Sequence, residues 1–307
     1  MEKPFRILSL DGGGSKGVYS LGVLLEVEAA CKHHLYEVFH LIYGTSTGSI
    51  IGSMLALGAS VKDIKDAYFT HIPHIMKKWG RKRKSAALRN AASQIFGGKT
   101  FADFKTSVGI VSTHIDYAKP MVFKNTVQQA HGRTATWESG FGVSIADAVL
   151  SSCSAFPFFE KAKILTKNQG SPALMDGGFV GNNPALFAVA DALGSLGKNP
   201  SMLRLLSVGV GEYREPRRNW LYEFLLDRWP FWLTRKTFAC NTNTLELVRQ
   251  LLFKEIQCVR VSDTFAQRDY ETDLLEADKR KLEKLFQLGR ESYGTKETVI
   301  GELLKET

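Results

Sequence analysis

Apolar residues fall along this chain in two rhythms. Phe5 to Leu10 is a short apolar run ending in Asp11-Gly12-Gly13-Gly14, and from Val18 onward Leu21, Leu24, Leu25 and Val27 return at close to helical intervals. That pattern predicts strand, glycine loop, helix. It then repeats: Val38 to Tyr43 predicts a second strand, Gly44-Thr45-Ser46-Thr47-Gly48 a turn, and Ser49 to Leu57 a helix rich in small residues. A βαβα opening implies a parallel sheet covered by helices, hence an α/β fold.

Downstream, Val61 to His71 predicts an amphipathic helix stopped near Pro73, while Val108 to Ile115 and Met121 to Phe123 predict strands. Ser144 to Ser154 predicts a helix running into Phe156-Pro157-Phe158-Phe159, and a strand from Ala173 to Met175 meets Asp176-Gly177-Gly178. Helix from Pro184 to Leu196, strand from Leu203 to Val210, a short strand at Val259 to Val261 and a helix from Asp278 to Tyr293 complete the reading. No linker or low-complexity tract divides the chain. The expectation is one domain over 1–307, elaborated from about residue 194.

Composition narrows the class. With 307 residues, 44% hydrophobic and 23% charged, the chain is globular rather than disordered, collagenous or coiled-coil. No run of about 18 uncharged apolar residues exists, so neither a membrane span nor an export signal is expected. Cys31, Cys153, Cys240 and Cys258 are too scattered for a disulfide framework or a C-x-x-C zinc site, which points to a cytoplasmic protein. The net charge of +9 favours an anionic partner, either nucleic acid or an acidic membrane surface.

Gly12-Gly13-Gly14-Ser15-Lys16-Gly17 has G-x-G-x-x-G spacing, yet the second strand ends in Tyr43-Gly44-Thr45-Ser46 rather than in the acid that a dinucleotide ribose needs. A P-loop fits worse, because Val18-Tyr19, not Lys then Ser or Thr, follows Gly17. A third reading, alongside cofactor phosphate binding, is a nest of N–H groups beside a helix N-terminus, suited to an oxyanion; a plain tight turn is the structural alternative.

Gly44-x-Ser46-x-Gly48 lies between an apolar strand and a helix, the setting of a nucleophile elbow. A serine hydroxyl needs a base. All seven histidines precede Asp176, so the usual late histidine of such a triad is missing; a non-standard triad through His114 or His131 stays open. Asp176-Gly177-Gly178, an acid at a strand end before two residues that let backbone crowd close, is the base candidate, provided burial raises its basicity.

In that order, Asp11-Gly12-Gly13-Gly14-Ser15-Lys16-Gly17, Gly44-Thr45-Ser46-Thr47-Gly48 and Asp176-Gly177-Gly178 resemble the motifs of the patatin-like phospholipase family. The resemblance extends from about Phe5 to Leu193 and takes in Ser144 to Phe159 and Asn182-Asn183-Pro184. It implies a three-layer α/β/α sandwich with a mostly parallel sheet, and a lipid acyl hydrolase of phospholipase A or lysophospholipase type. Ser46 would be the nucleophile, Asp176 the base, and Gly12, Gly13 and Gly14 the oxyanion donors. Neither metal nor cofactor is expected. Lys16 stands where the family often has arginine; it is assigned to loop support or to a substrate phosphate. Compact length and basic charge are also similar to the bacterial patatin-like effectors that a cyclic nucleotide switches on in phage defence, which implies a cyclic-nucleotide activator.

Two stretches could meet a membrane. Lys77, Lys78, Arg81, Lys82, Arg83 and Lys84 surround Trp79, and the 217–236 segment interleaves Trp229, Phe231 and Trp232 with arginines. A solvated loop is the plain alternative for the first, and core packing, a lid or a dimer face for the second. Transient association with the inner face of a membrane is expected, with phospholipid as substrate. The competing readings are a basic nucleic-acid-binding module and a catalytically silent regulatory module.

Overall fold

The computed structural model describes residues 3–132, 134–214 and 229–305, with Trp229, Pro230 and Arg268 described by backbone alone. Its strands are β1 Phe5–Leu10, β2 Leu41–Thr45, β3 Ser107–His114, β4 Lys119–Lys124, β5 Ala162–Lys163, β6 Ala173–Asp176, β7 Leu203–Val208, β8 Glu212–Tyr213, β9 Gln257–Val261 and β10 Thr264–Phe265. Its helices are α1 Gly17–Cys31, α2 Leu35–Val38, α3 Thr47–Ala56, α4 Val61–Met76, α5 Arg81–Phe96, α6 Ile145–Ser152, α7 Gly178–Gly181, α8 Ala185–Gly194, α9 Trp229–Leu252, α10 Lys279–Gly294 and α11 Glu297–Leu304.

Eight strands make the main sheet, in the order β5-β6-β3-β2-β1-β7-β9 with β4 also on β3. The run β3-β2-β1-β7-β9 is parallel throughout, and β4, β5 and β6 are antiparallel to their neighbours. The sheet therefore draws on β7 and β9, beyond the stretch in which the sequence motifs lie.

Period-2 alternation sends side chains to both faces. Leu8, Leu10, Ile42, Leu206 and Val208 belong to one core, while Ile7, Leu41, Tyr43, Leu203 and Leu205 pack with Ala185, Ala188 and Val189 of α8 on the other. The result is the expected three-layer α/β/α sandwich.

One feature of register places the site. The β3–β4 ladder covers Gly109 to His114 along one edge of β3, so β2 and β6 must share the other edge in succession. Thr45 pairs with Val111, and the next residue, Ser112, pairs with Asp176. Asp176 is thereby set just beyond the end of β2, where Ser46 begins the turn.

Several elements differ from the sequence reading. The second strand starts at Leu41 because the preceding residues form α2, where His34 N–H donates to Glu37 Oε2 (3.1 Å). Helix α4 continues through Pro73 to Met76; the ring is buried among Ile72 and Ile75, and Lys77 N–H still reaches Pro73 O at 3.1 Å. Arg81 to Lys84 open a helix rather than a loop. Helix α5 buries Ala87, Leu88, Ala91, Ala92 and Phe96 at helical spacing, but its first turn holds cations and no capping side chain, so its N-terminus sends no signal.

Candidate active site

Strand β2 ends at Thr45 and helix α3 starts at Thr47, leaving Ser46 alone to turn the chain, at φ 52° and ψ −123°. For a residue with a Cβ this is a strained conformation, tolerated only when the surroundings enforce it. They do. A Cβ on Gly44 would lie 2.3 Å from Gly48 O, and one on Gly48 would lie 2.2 Å from Leu10 O, so both flanking positions require glycine. The Ser46 N–H donates to Ser152 Oγ (2.8 Å), and Ser49 Oγ donates to Ser46 O (2.6 Å).

With its backbone held, Ser46 directs its hydroxyl at Asp176 and donates to Oδ2 at 2.6 Å. The other carboxylate oxygen, Oδ1, accepts the Gly178 N–H at 2.7 Å. Asp176 is fully buried. Burial pushes its carboxyl up to about 7, against the opposing pull of the bonds from Ser46 and Gly178. A carboxylate so placed is a far better proton acceptor than one in water. Nearby Cys153 is held as a neutral thiol, first by burial and then by Asp176.

The glycine loop lies against the same centre. A Cβ on Gly12 would be 3.2 Å from Ser46 Cβ, and Gly13 and Gly14 line the pocket that holds Ser46 and Asp176. Gly14 has φ 56°, and a Cβ there would meet Leu274 O at 2.4 Å. Of the three expected donors Gly12 is the exception: its N–H is taken by Asn182 O at 3.0 Å. Among the described residues no acceptor engages the N–H groups of Gly13 or Gly14.

Four attachments hold this loop. Asp11 is buried and forked by Arg260, Nη1 to Oδ1 at 3.0 Å and Nη2 to Oδ2 at 2.5 Å. Asn182 takes the Gly12 N–H and donates its side-chain amide to Gly12 O (3.3 Å) and Thr242 Oγ1 (2.8 Å). Tyr68 OH donates to Gly14 O, and Ser15 N–H donates to Leu274 O at 2.9 Å. Lys16 Nζ donates to Gly211 O (3.3 Å) and faces a different cavity, not the pocket of Ser46.

That pocket is apolar, walled by Ile50, Ile72, Ile75, Leu88, Phe158 and Phe159 among others, and its free volume is about 40 Å³. Neither histidine left open by the sequence lines it: His114 packs on the Tyr117 ring, and His131 Nε2 lies 3.0 Å from Asp191 Oδ1. None of the expected basic–aromatic patch lines the pocket, though it lies close in sequence to residues that do. Trp79, 85% exposed, follows the pocket residue Met76 by three positions, and Lys77, Arg81, Lys82 and Arg83 beside it are exposed, with Lys78 and Lys84 half-buried. Phe231 is half-buried on Phe158 (4.8 Å between ring centres) and Trp232 lines the second cavity; the Trp229 side chain lies outside the described residues.

The model of the family described as "Patatin-like phospholipase" matches residues 8–189. The chain belongs to the patatin-like phospholipase family. Among its patatin-like relatives, it is 46% identical over 299 residues to a cUMP-AMP-activated phospholipase of Escherichia coli, covering 97% of this chain and 93% of that one. It is 29% identical over 211 residues to a cGAMP-activated phospholipase of E. coli strain TW11681, covering 62% of this chain and 57% of that relative's length. VipD from Legionella pneumophila shares the fold, with TM-score 0.50 and 11% identity over 99% of this chain and 67% of that chain.

Sequence reasoning missed Ser152, Asn182 and Arg260 as parts of this site. Asn182 sat in a segment already noted for family likeness, but nothing in the chain ties Arg260 to Asp11, 249 positions away.

Proposed function

We propose that this patatin-like phospholipase cleaves carboxylic esters of membrane glycerophospholipids through Ser46 and Asp176. The observation that carries the reading is the 2.6 Å Ser46–Asp176 hydrogen bond, buried at the end of an apolar pocket with no histidine between. Asp176 takes the Ser46 proton as Oγ attacks the ester carbonyl, giving an acyl-enzyme and freeing the alcohol; water then releases the fatty acid with the proton path reversed. The Gly13 and Gly14 N–H groups face the developing oxyanion, each worth about 2.7 to 4 kcal/mol in the transition state. Gly12 supports them through Asn182 rather than donating.

The apolar walls suit an acyl chain, and Trp79 with the Arg81 to Arg83 turn suits docking on anionic headgroups beside the pocket. Among the described residues no helix is long and apolar enough to cross a membrane, so contact with the bilayer is peripheral in this reading. A cyclic dinucleotide as activator, and the phage-defence role that the resemblance implies, belong to the same proposal; the names of two relatives, activated by cUMP-AMP and by cGAMP, support the activator.

The test is fatty-acid release from phospholipid vesicles by purified protein, with and without cyclic UMP-AMP. Ser46→Ala and Asp176→Asn are each expected to lower turnover at least about 10³-fold while keeping the fold. Near-normal turnover by Asp176→Asn would remove it as the base.

A further inference from the structure

A second cavity, of about 560 Å³, shares Gly13, Phe238 and Leu274 with the apolar pocket but touches neither Ser46 nor Asp176. It is large enough for a nucleotide-sized ligand, whereas the 40 Å³ pocket at Ser46 holds little more than one water. Among its cations, Arg260 pairs with Asp11 and Lys281 with Glu276, and Lys16 Nζ donates to Gly211 O. Lys16, Arg214, Arg235 and Lys236 line it as well, together with Glu212, Glu271 and Asp273. That near balance does not suit a plain polyanion. It suits a molecule combining phosphodiesters with amino-bearing rings, the rings lying against Trp232 and Tyr213.

We infer that this cavity takes a cyclic dinucleotide and that filling it opens the acyl pocket beside it. The inference rests on the activator reading above. Three walls connect the two spaces. Phe238 of α9 lines both, packed on Phe179 at 5.0 Å. Leu274 lines both, and its carbonyl holds the Ser15 N–H of the glycine loop. Asn182 lines the cavity and spans from α9 to the loop: its N–H donates to Asn241 Oδ1 (2.7 Å), its amide to Thr242, and its carbonyl takes Gly12. Its own Oδ1 is buried with no donor among the described residues. Movement of α9 is thus transmitted to the oxyanion loop, which makes Asn182 a positioning residue.

Calorimetric titration of the full-length Ser46→Ala protein with cyclic UMP-AMP tests the site, and fatty-acid release by the Ser46-bearing protein tests the coupling. Arg214→Glu with Lys236→Glu, both exposed positions, is expected to weaken binding at least about tenfold with the unliganded thermal midpoint unchanged. Asn241→Ala is expected to bind the nucleotide within about twofold of the parent, yet lose most of the stimulation of kcat with KM unmoved. If the parent neither binds nor responds to any cyclic dinucleotide, the activator reading itself falls and this one with it. If the parent responds but the double charge reversal binds equally well, only the cavity assignment is overturned. A double variant with normal nucleotide binding and a raised KM for vesicles would instead mark the cavity as a headgroup site, also overturning it. Full stimulation of Asn241→Ala would remove the route through Asn182.

Discussion

Asp176 has to accept a proton directly from an alcohol, and its environment is what makes that feasible at neutral pH. Because burial lifts its carboxyl to about 7, kcat/KM is expected to rise as pH climbs through that value and to level off above it. A pH–rate profile on a soluble ester, where membrane binding does not intrude, checks this; a limb near 4 would mean an unperturbed acid. The same shift has a stability consequence of definite sign. Between the unfolded value near 3.8 and the folded value near 7 the native state holds the extra proton, so this residue's contribution is full at low pH and is lost as pH rises to 7. Asp176→Asn is therefore expected to gain thermal stability relative to the parent as pH goes from 4 to 8, measured by melting at a series of pH values. Ser46 and Asp176 were legible in the sequence because glycines flank the one and follow the other, and each comes at the end of a strand-like run. Ser152 and Asn182 were not, since one hydroxyl or amide that finds a backbone partner looks like any other.

Among the elements, α1 and α10 cross with almost no room between them. A Cβ on Gly22 would lie 2.1 Å from Phe286 O, and one on Gly289 would lie 2.1 Å from Tyr19 O. Since the clashing atoms are backbone, neither helix can relieve them by a rotamer change. Gly22→Ala and Gly289→Ala should each cost about 1 to 3 kcal/mol or more, read as a fall in the denaturation midpoint. The first βαβα units were legible because apolar runs and glycine turns coincide there. Helix α5 was hidden because its opening turn is all cation, and only the alanines and Phe96 further on reveal the buried face. Residues Trp220, Leu221, Phe224 and Leu225 of the aromatic–basic segment lie outside the described residues.

At the scale of the molecule, residues far apart in the chain converge on one loop and one face. Arg260→Met would leave Asp11 buried without its cation and should cost about 3 to 5 kcal/mol, with the glycine loop disturbed as well, measured by denaturation together with residual turnover. The Trp79 face makes a different prediction. Arg81→Glu, Lys82→Glu and Arg83→Glu combined should weaken partition onto anionic vesicles by about 1 kcal/mol or more per site, with the deficit shrinking at high salt. Sedimentation with vesicles would show it, and unchanged partition would assign those residues to solvent alone.

The sequence by itself determined the local chemistry: a strand-to-helix turn that only glycines can flank, a loop rich in unhindered N–H groups, and an acid followed by two glycines. These are properties of neighbouring residues, so short-range sterics express them wherever the chain goes. Only the tertiary structure decided which groups meet. The shared edge of β3 carries Asp176 to the end of β2, Asn182 takes one of the three loop donors, and α9 contributes Phe238 to the wall of both cavities. Such pairings depend on register and layer packing across more than a hundred residues, where many partners are chemically equivalent and burial alone selects among them.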